Sequence, residues 1–293
     1  MKKNLIALTI GILLSITTVI SQTAANNTGY NSVLWEISGN NLQKSSYLFG
    51  TIHLMPESEY KFDNSLKEKF ETCKMLVLET EIDMPLKQQI ELVKKIILPK
   101  GKKLSDYMTP EQFADYKSYL LDTLNIKKGT FNKMEKIKPI FSSVLVLNEL
   151  IEKPLSYEKE FSKEAKKRKM EILGLETIEF QMGLMDSISV ERQVEMLLKD
   201  DIHSNPLIEY NKLLDAYKQQ DLEKLYNFAK EDDDFKYFEE DLLVNRNIKW
   251  TASLKKTMNE QSAFIAVGAA HLYGEQGMVS LLRKEGYTVK AIK

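Results

Sequence analysis

Phe264-Ile265-Ala266-Val267-Gly268-Ala269-Ala270-His271-Leu272 is an apolar run that closes on a glycine and, three residues later, a histidine. Near the other end of the chain, Tyr47-Leu48-Phe49-Gly50-Thr51-Ile52-His53-Leu54 repeats the frame. The 293 residues hold only three histidines and 12 glycines. Chance would place two of the three in this frame in roughly half a percent of such chains, so the pair reads as a constellation. An apolar run ending in glycine predicts a buried strand entering a sharp turn. The glycine supplies either an unusual backbone angle or room for a close approach. A histidine just past the carboxyl end of a strand lies where open α/β sheets bind their ligands. Taken singly, either histidine reads as a hydrogen-bonded structural residue. As a matched pair on adjacent strands, they read as a site.

Outward from these runs, Val33-Leu34-Trp35-Glu36-Ile37 and Ser46-Tyr47-Leu48-Phe49 flank the turn Ser38-Gly39-Asn40-Asn41 and predict a hairpin. A helix is expected around Ser65–Cys73, then a strand from Met75 to Glu79. The stretch from Leu86 to Ala165 reads as helical and highly charged, with Thr109 capping a helix that opens on Pro110 and a further helix from Lys136 to Glu152. Met170-Glu171-Ile172-Leu173-Gly174 predicts a short buried strand, and Thr177 a cap for the next helix. Four or five helices follow to about Met258, then strand Phe264–Val267, helix Gly274–Lys284 and strand Tyr287–Ile292. The expected fold is α/β (α+β): a mixed β-sheet split in sequence by a large helical insert. The sheet core is placed at about 30–84, 168–178 and 260–293, with the insert from about 85 to 260.

Lys2 and Lys3, the uncharged stretch Leu5–Ile20 and the small residues after it have the three-part form of a secretory signal peptide covering residues 1–21. Export to the periplasm or the extracellular space is expected, with membrane attachment only if this segment stays uncleaved. Cys73 is the single cysteine, which excludes an intrachain disulfide and reads as a small core residue. Net charge is −1 with both signs interspersed, and no nucleic-acid surface is indicated.

Glu79 and Glu176 end apolar strands as the histidines do. If the strands are neighbours, two imidazoles and two carboxylates meet at one sheet edge. His53, Glu79 and His271 are the candidate metal ligands, a donor set suited to Zn²⁺, Mn²⁺ or Co²⁺. Such an ion polarises a carbonyl and acidifies a water. Glu176 is the candidate general base, with Glu79 as the alternative and Glu81 a weaker one. Arg246, ahead of Trp250 on an amphipathic helix, is a candidate for holding a carboxylate or an oxyanion, although spacing alone reads it as a surface residue. His203, in a polar inter-helix stretch, reads as exposed, and the acidic run Glu231–Asp234 as solvated.

The segments Leu48–Leu54, Leu76–Glu79, Leu173–Thr177 with Gln181, Asn245–Asn247 and Val267–Gly274 together resemble, in order, the TraB/PrgY/GumN family, which includes the Tiki proteases that inactivate Wnt ligands. The resemblance spans Trp35 to Val289 and makes residues 22–293 one domain of that family. It implies a metal-dependent protease fold related to erythromycin esterase and the haem-binding ChaN-like proteins. Glu158 stands where the family usually has Asp. The expected function is that of an exported metal-dependent hydrolase acting on peptides, an exported polypeptide or a small-molecule substrate. The alternatives are a metal-free hydrolase with a histidine base, and a haem- or peptide-binding protein without catalysis.

Overall fold

The computed structural model describes residues 30–81, 85–199, 205–230 and 239–293. The leader reading of residues 1–21, His203 and the acidic run Glu231–Asp234 lie outside them. Eight strands are present among the described residues: β1 (Leu34–Ser38), β2 (Ser46–Thr51), β3 (Met55–Pro56), β4 (Met75–Thr80), β5 (Pro154–Leu155), β6 (Glu171–Glu176), β7 (Ala263–Gly268) and β8 (Thr288–Ile292). Six of them form one mixed sheet in the order β6-β4-β7-β2-β1-β8. β6, β4, β7 and β2 run parallel, while β1 pairs antiparallel with both β2 and β8. The mixed, split sheet expected from the sequence is therefore present.

Among the described residues there are twelve α-helices: α1 (Asn64–Thr72), α2 (Leu86–Ile96), α3 (Pro110–Ser118), α4 (Lys128–Met134), α5 (Ser142–Leu150), α6 (Tyr157–Lys167), α7 (Ile178–Asp186), α8 (Val190–Lys199), α9 (Pro206–Lys218), α10 (Leu222–Lys230), α11 (Asn245–Glu260) and α12 (Met278–Lys284). Side chains fix several of their starts. Asp63 accepts from the Leu66 N–H, Thr177 from Phe180, and Thr109 exchanges bonds with Gln112 in a reciprocal box ahead of Pro110.

Three boundaries differ from the sequence reading. The helix expected from Lys136 begins at Ser142, because Ile137 bridges Ile97 and Pro139 opens a separate 3₁₀ turn. The last helix starts at Met278 rather than Gly274, whose φ of +92° ends regular structure there. The strand expected to be buried at Met170–Gly174 is the sheet's outer strand, half-buried along most of its length. Cys73 is buried as expected, and burial pushes its thiol up to about 12, which keeps it unreactive.

The central strands are apolar on both faces, as parallel strands covered on two sides require. Every residue of β2 is buried, as is Met75–Leu78 of β4. Trp35, Phe70, Phe161 and Phe264 anchor this core, and Trp250 joins it from α11. A second apolar cluster, including Leu104, Leu120, Met134 and Met196, lies within the insert helices.

Both site glycines serve close approach rather than unusual dihedrals. Gly268 has φ of −52°. A Cβ on Gly50 would stand 3.0 Å from Ala269 Cα and 3.1 Å from Leu272 Cδ2, so the turn after β7 presses directly on β2. Gly50→Val should therefore destabilise the fold by about 1–3 kcal/mol through overpacking. Gly183→Ala, on the exposed face of α7 with open space around its Cβ, should stabilise it by roughly 0.5–1 kcal/mol. Urea unfolding of both variants checks the pair; a neutral Gly50→Val would show that the two turns are not in contact.

Candidate active site

The register of the parallel strands brings their carboxyl ends to one edge. Thr51 pairs with Gly268, Leu78 with Ala266, and Thr80 with Glu176. His53, Glu79, Glu176 and His271 consequently leave the sheet side by side. A Cβ placed on Gly268 would lie 3.3 Å from Glu79 Oε1, 3.6 Å from His271 Cδ2 and 3.8 Å from His53 Nε2. Three functional groups thus converge on one backbone position, where a side chain would crowd the Glu79 carboxylate.

Each histidine is held from behind. Asn247 Nδ2 donates to the carbonyls of His271 and Gln276, which turns its Oδ1 toward His271 Nδ1 at 2.7 Å. His271 must then carry its proton on Nδ1 and present a lone pair at Nε2. His53 Nδ1 lies 3.0 Å from Glu158 Oε1. Thr51 Oγ1 donates to the same oxygen and Ser156 Oγ to the other, each at 2.6 Å. The short ladder between β3 and β5, with Met55 opposite Leu155, brings Ser156 and Glu158 beside His53.

The carboxylates are organised by Arg246, which is 4% exposed. Its Nη2 donates to Glu79 Oε2 and Glu176 Oε1, both at 2.6 Å, and its Nε to Glu176 at 2.9 Å. Its Nη1 donates to the Leu242 carbonyl at 2.8 Å and toward His271 Nε2 at 3.3 Å. The surface reading that spacing gave for Arg246 is therefore overturned. A guanidinium has five N–H donors, and all five are committed here, so none remains for a substrate carboxylate or oxyanion. Glu176 is equally occupied, accepting also from Gln181 and Trp250, and it does not line the adjoining cavity. Both residues are placed to position Glu79 and His271. Gln181, Asn247, Glu158 and Trp250 were given no role by residue patterning. Arg246 and Trp250, four residues apart with the guanidinium 4.5 Å from the indole, were the available signal for a shared helix face turned inward.

The cavity holds about 430 Å³ between the sheet edge and the insert. His53, Glu79, Arg246 and His271 line one end; Ile140, Phe141, Val144, Met182, Met185 and Leu242 form apolar wall. Among the described residues no three His, Cys, Asp or Glu side chains stand as a closed metal-binding group. The donors fit a divalent ion in kind: two imidazoles with their outer nitrogens fixed, one carboxylate, and the space left by Gly268. They do not enclose one as they stand, because Arg246 engages both Glu79 Oε2 and His271 Nε2.

The chain belongs to the TraB/PrgY/gumN family, whose model matches residues 33–291. It is similar to metalloprotease TIKI1 of Danio rerio, at 23% identity over 89% of this chain and 63% of that protein. It is also similar to metalloproteases TIKI1 and TIKI2 of Xenopus tropicalis, at 24% and 23% identity over 88% and 89% of this chain. The chain spans about six-tenths of the length of these relatives. No solved structure matches it.

The charges pull the site's groups apart. Burial, aided by Arg246, pushes His271 down to about 3. Burial also pulls on His53, but the charge and hydrogen bond of Glu158, with Glu79 behind them, raise it to about 9. That ring is 36% exposed through the cavity, so the ion pair sets the direction. Burial would raise Glu79, yet Arg246 and the histidines, with the Gly268 N–H donating at 2.8 Å, bring it to about 2. The depressed His271 value contributes stability that is present above pH 6.5 and lost as pH falls toward 3; the Glu79 contribution is present above 4.5 and lost toward 2. The raised His53 value contributes stability that is present below 6.5 and lost as pH rises through 9. Thermal midpoints of the metal-free protein should therefore peak near pH 6.5 and fall on both sides. In Glu158→Gln the alkaline decline should flatten, and an unchanged decline would place its origin elsewhere.

Proposed function

We propose that this member of the TraB/PrgY/gumN family is an exported, metal-dependent hydrolase that cleaves peptide bonds. The convergence of His53 Nε2, Glu79 Oε1 and His271 on Gly268, at the polar end of an apolar-walled cavity, carries the reading. The metalloprotease names of the relatives support it. Export rests on the leader pattern of residues 1–21.

In this reading His53, Glu79 and His271 hold the ion. When bound, a divalent cation supplies carbonyl polarisation and an acidified water. Glu79, held far below neutrality, is a poor proton acceptor and a good anionic ligand. Arg246 keeps it ionised and fixed, and Glu176 fixes Arg246. Using the Nε2 lone pair of His53 requires that ring to give up a proton, so metal affinity should rise with pH up to about 9. His271 already offers its lone pair, provided Arg246 Nη1 gives up its 3.3 Å contact. The apolar walls suit a polypeptide segment with apolar side chains next to the scissile bond.

The same pKa values weigh against a metal-free mechanism with a histidine base. His53 is protonated through neutral pH, and His271, at about 3, is too weak a base to take a proton from water. Mn²⁺, Co²⁺ and Zn²⁺ all suit two imidazoles and a carboxylate. Protein freed of metal and then supplied with each ion should cleave members of a peptide library only when loaded. His53→Ala and His271→Ala should each lower turnover by at least about 10²-fold while circular dichroism stays native. Glu79→Gln must turn an amide NH₂ toward Gly268 N–H or Arg246, and should lose metal and activity together. Hydrolysis that persists in the chelated protein would establish the metal-free alternative instead.

A further inference from the structure

The helix α2 (Leu86–Ile96) packs with its apolar stripe facing outward. Leu86, Ile90, Val93 and, just past its end, Ile97 recur at helical spacing, and they are 72%, 48%, 55% and 42% exposed. No residue of the helix is fully buried. Its half-buried positions, Leu92, Lys95 and Ile96, lie on another side, and Ile96 lines the catalytic cavity. α7, against which α2 packs, exposes Phe180.

The charge along this segment is one-sided. Residues 86–103 carry six lysines and one glutamate in a chain of net charge −1. That glutamate, Glu91, is already paired with Lys94 at 2.7 Å. Lys100, Lys102 and Lys103 follow, all exposed, and exposed Lys136 lies against Leu98 through a backbone hydrogen bond. A second copy docking on this face would set one lysine collar against another. An anionic lipid surface matches both features: acyl chains take the four aliphatic side chains and headgroup phosphates take the lysines.

We infer that α2 is an interfacial helix that seats the protein on an anionic lipid surface, with the cavity lined by Ile96 held close to that surface. Such a helix lies in the interface without crossing it, and among the described residues no helix is long and apolar enough to cross. The inference does not depend on hydrolysis.

Flotation of the full chain with vesicles, its N-terminus read by mass spectrometry, tests this. Vesicles of phosphatidylcholine with about a third phosphatidylglycerol should bind it about tenfold or more tighter than phosphatidylcholine alone, less so at high salt. Ile90→Ser/Val93→Ser should lose most of that binding, and Lys100→Gln/Lys102→Gln, at exposed positions, should weaken it and its salt dependence, each with native circular dichroism. Binding that is equal on neutral vesicles, or unchanged by these substitutions, is carried by another segment such as Leu5–Ile20 and overturns the assignment. A lipid-free dimer dissolved by Ile90→Ser/Val93→Ser identifies a second copy as the occupant and overturns it as well.

Discussion

The buried guanidinium of Arg246 is the constraint around which the site is built. It joins Glu79 and Glu176 at the ends of adjacent strands and contacts His271 at the end of a third. An unpaired buried charge is costly, of order 3–5 kcal/mol when one partner of such a pair is removed. The cluster therefore commits β4, β6, β7 and α11 to one arrangement. Around it, Glu79, Glu176 and Glu158 carry three negative charges against Arg246 and a protonated His53. The remaining charge is negative, at a place where two imidazoles also converge. That imbalance favours a cation over an anionic ligand.

The sheet topology turns this local chemistry into a site. β7, the last parallel strand, is inserted between β2 and β4. This places the second Gly-x-x-His frame next to the first, although most of the chain lies between them. Gly50 and Gly268 both sit where neighbours come close, within 3.0 Å and 3.3 Å of where a Cβ would stand. At Gly50 the neighbour is the turn after β7, which fixes the spacing of the two frames. At Gly268 it is the cluster of His53, Glu79 and His271, which leaves the room an ion would need. The insert closes the other side with aliphatic side chains and methionines, giving a cavity polar at one end and apolar along its wall.

The sheet and the shared edge of His53, Glu79, Glu176 and His271 were legible in the sequence because both rest on short-range patterns. Apolar runs of β length ending in Gly, Glu or Gly-x-x-His announce strand ends, and parallel strands bring those ends to a common edge. Long-range partnerships left no such trace. Glu158 meets His53 only through a two-residue ladder, and Asn247 fixes the His271 tautomer through an amide that resembles any other polar helix residue. Arg246 read as a surface residue by spacing because it lies among charged neighbours, and its burial depends on carboxylates arriving from two strands. The outer placement of β6 was missed because Ile172, Leu173 and Leu175 are apolar enough for an inner strand. At the helix starts, side-chain caps such as Thr109 and Thr177 were readable, while Pro139 and Gly274 shifted boundaries through backbone chemistry that apolar periodicity does not register.

Anomalous diffraction from crystals soaked in Mn²⁺ or Co²⁺ above pH 8 is the most direct measurement, since deprotonation of His53 then favours loading. The arrangement described here predicts one strong peak coordinated by His53 Nε2, Glu79 Oε1 and His271 Nε2, with Arg246 Nη1 withdrawn from His271 and its bonds to Glu176 retained. No peak at that position, with Arg246 still bonded to His271 at saturating metal, would contradict it.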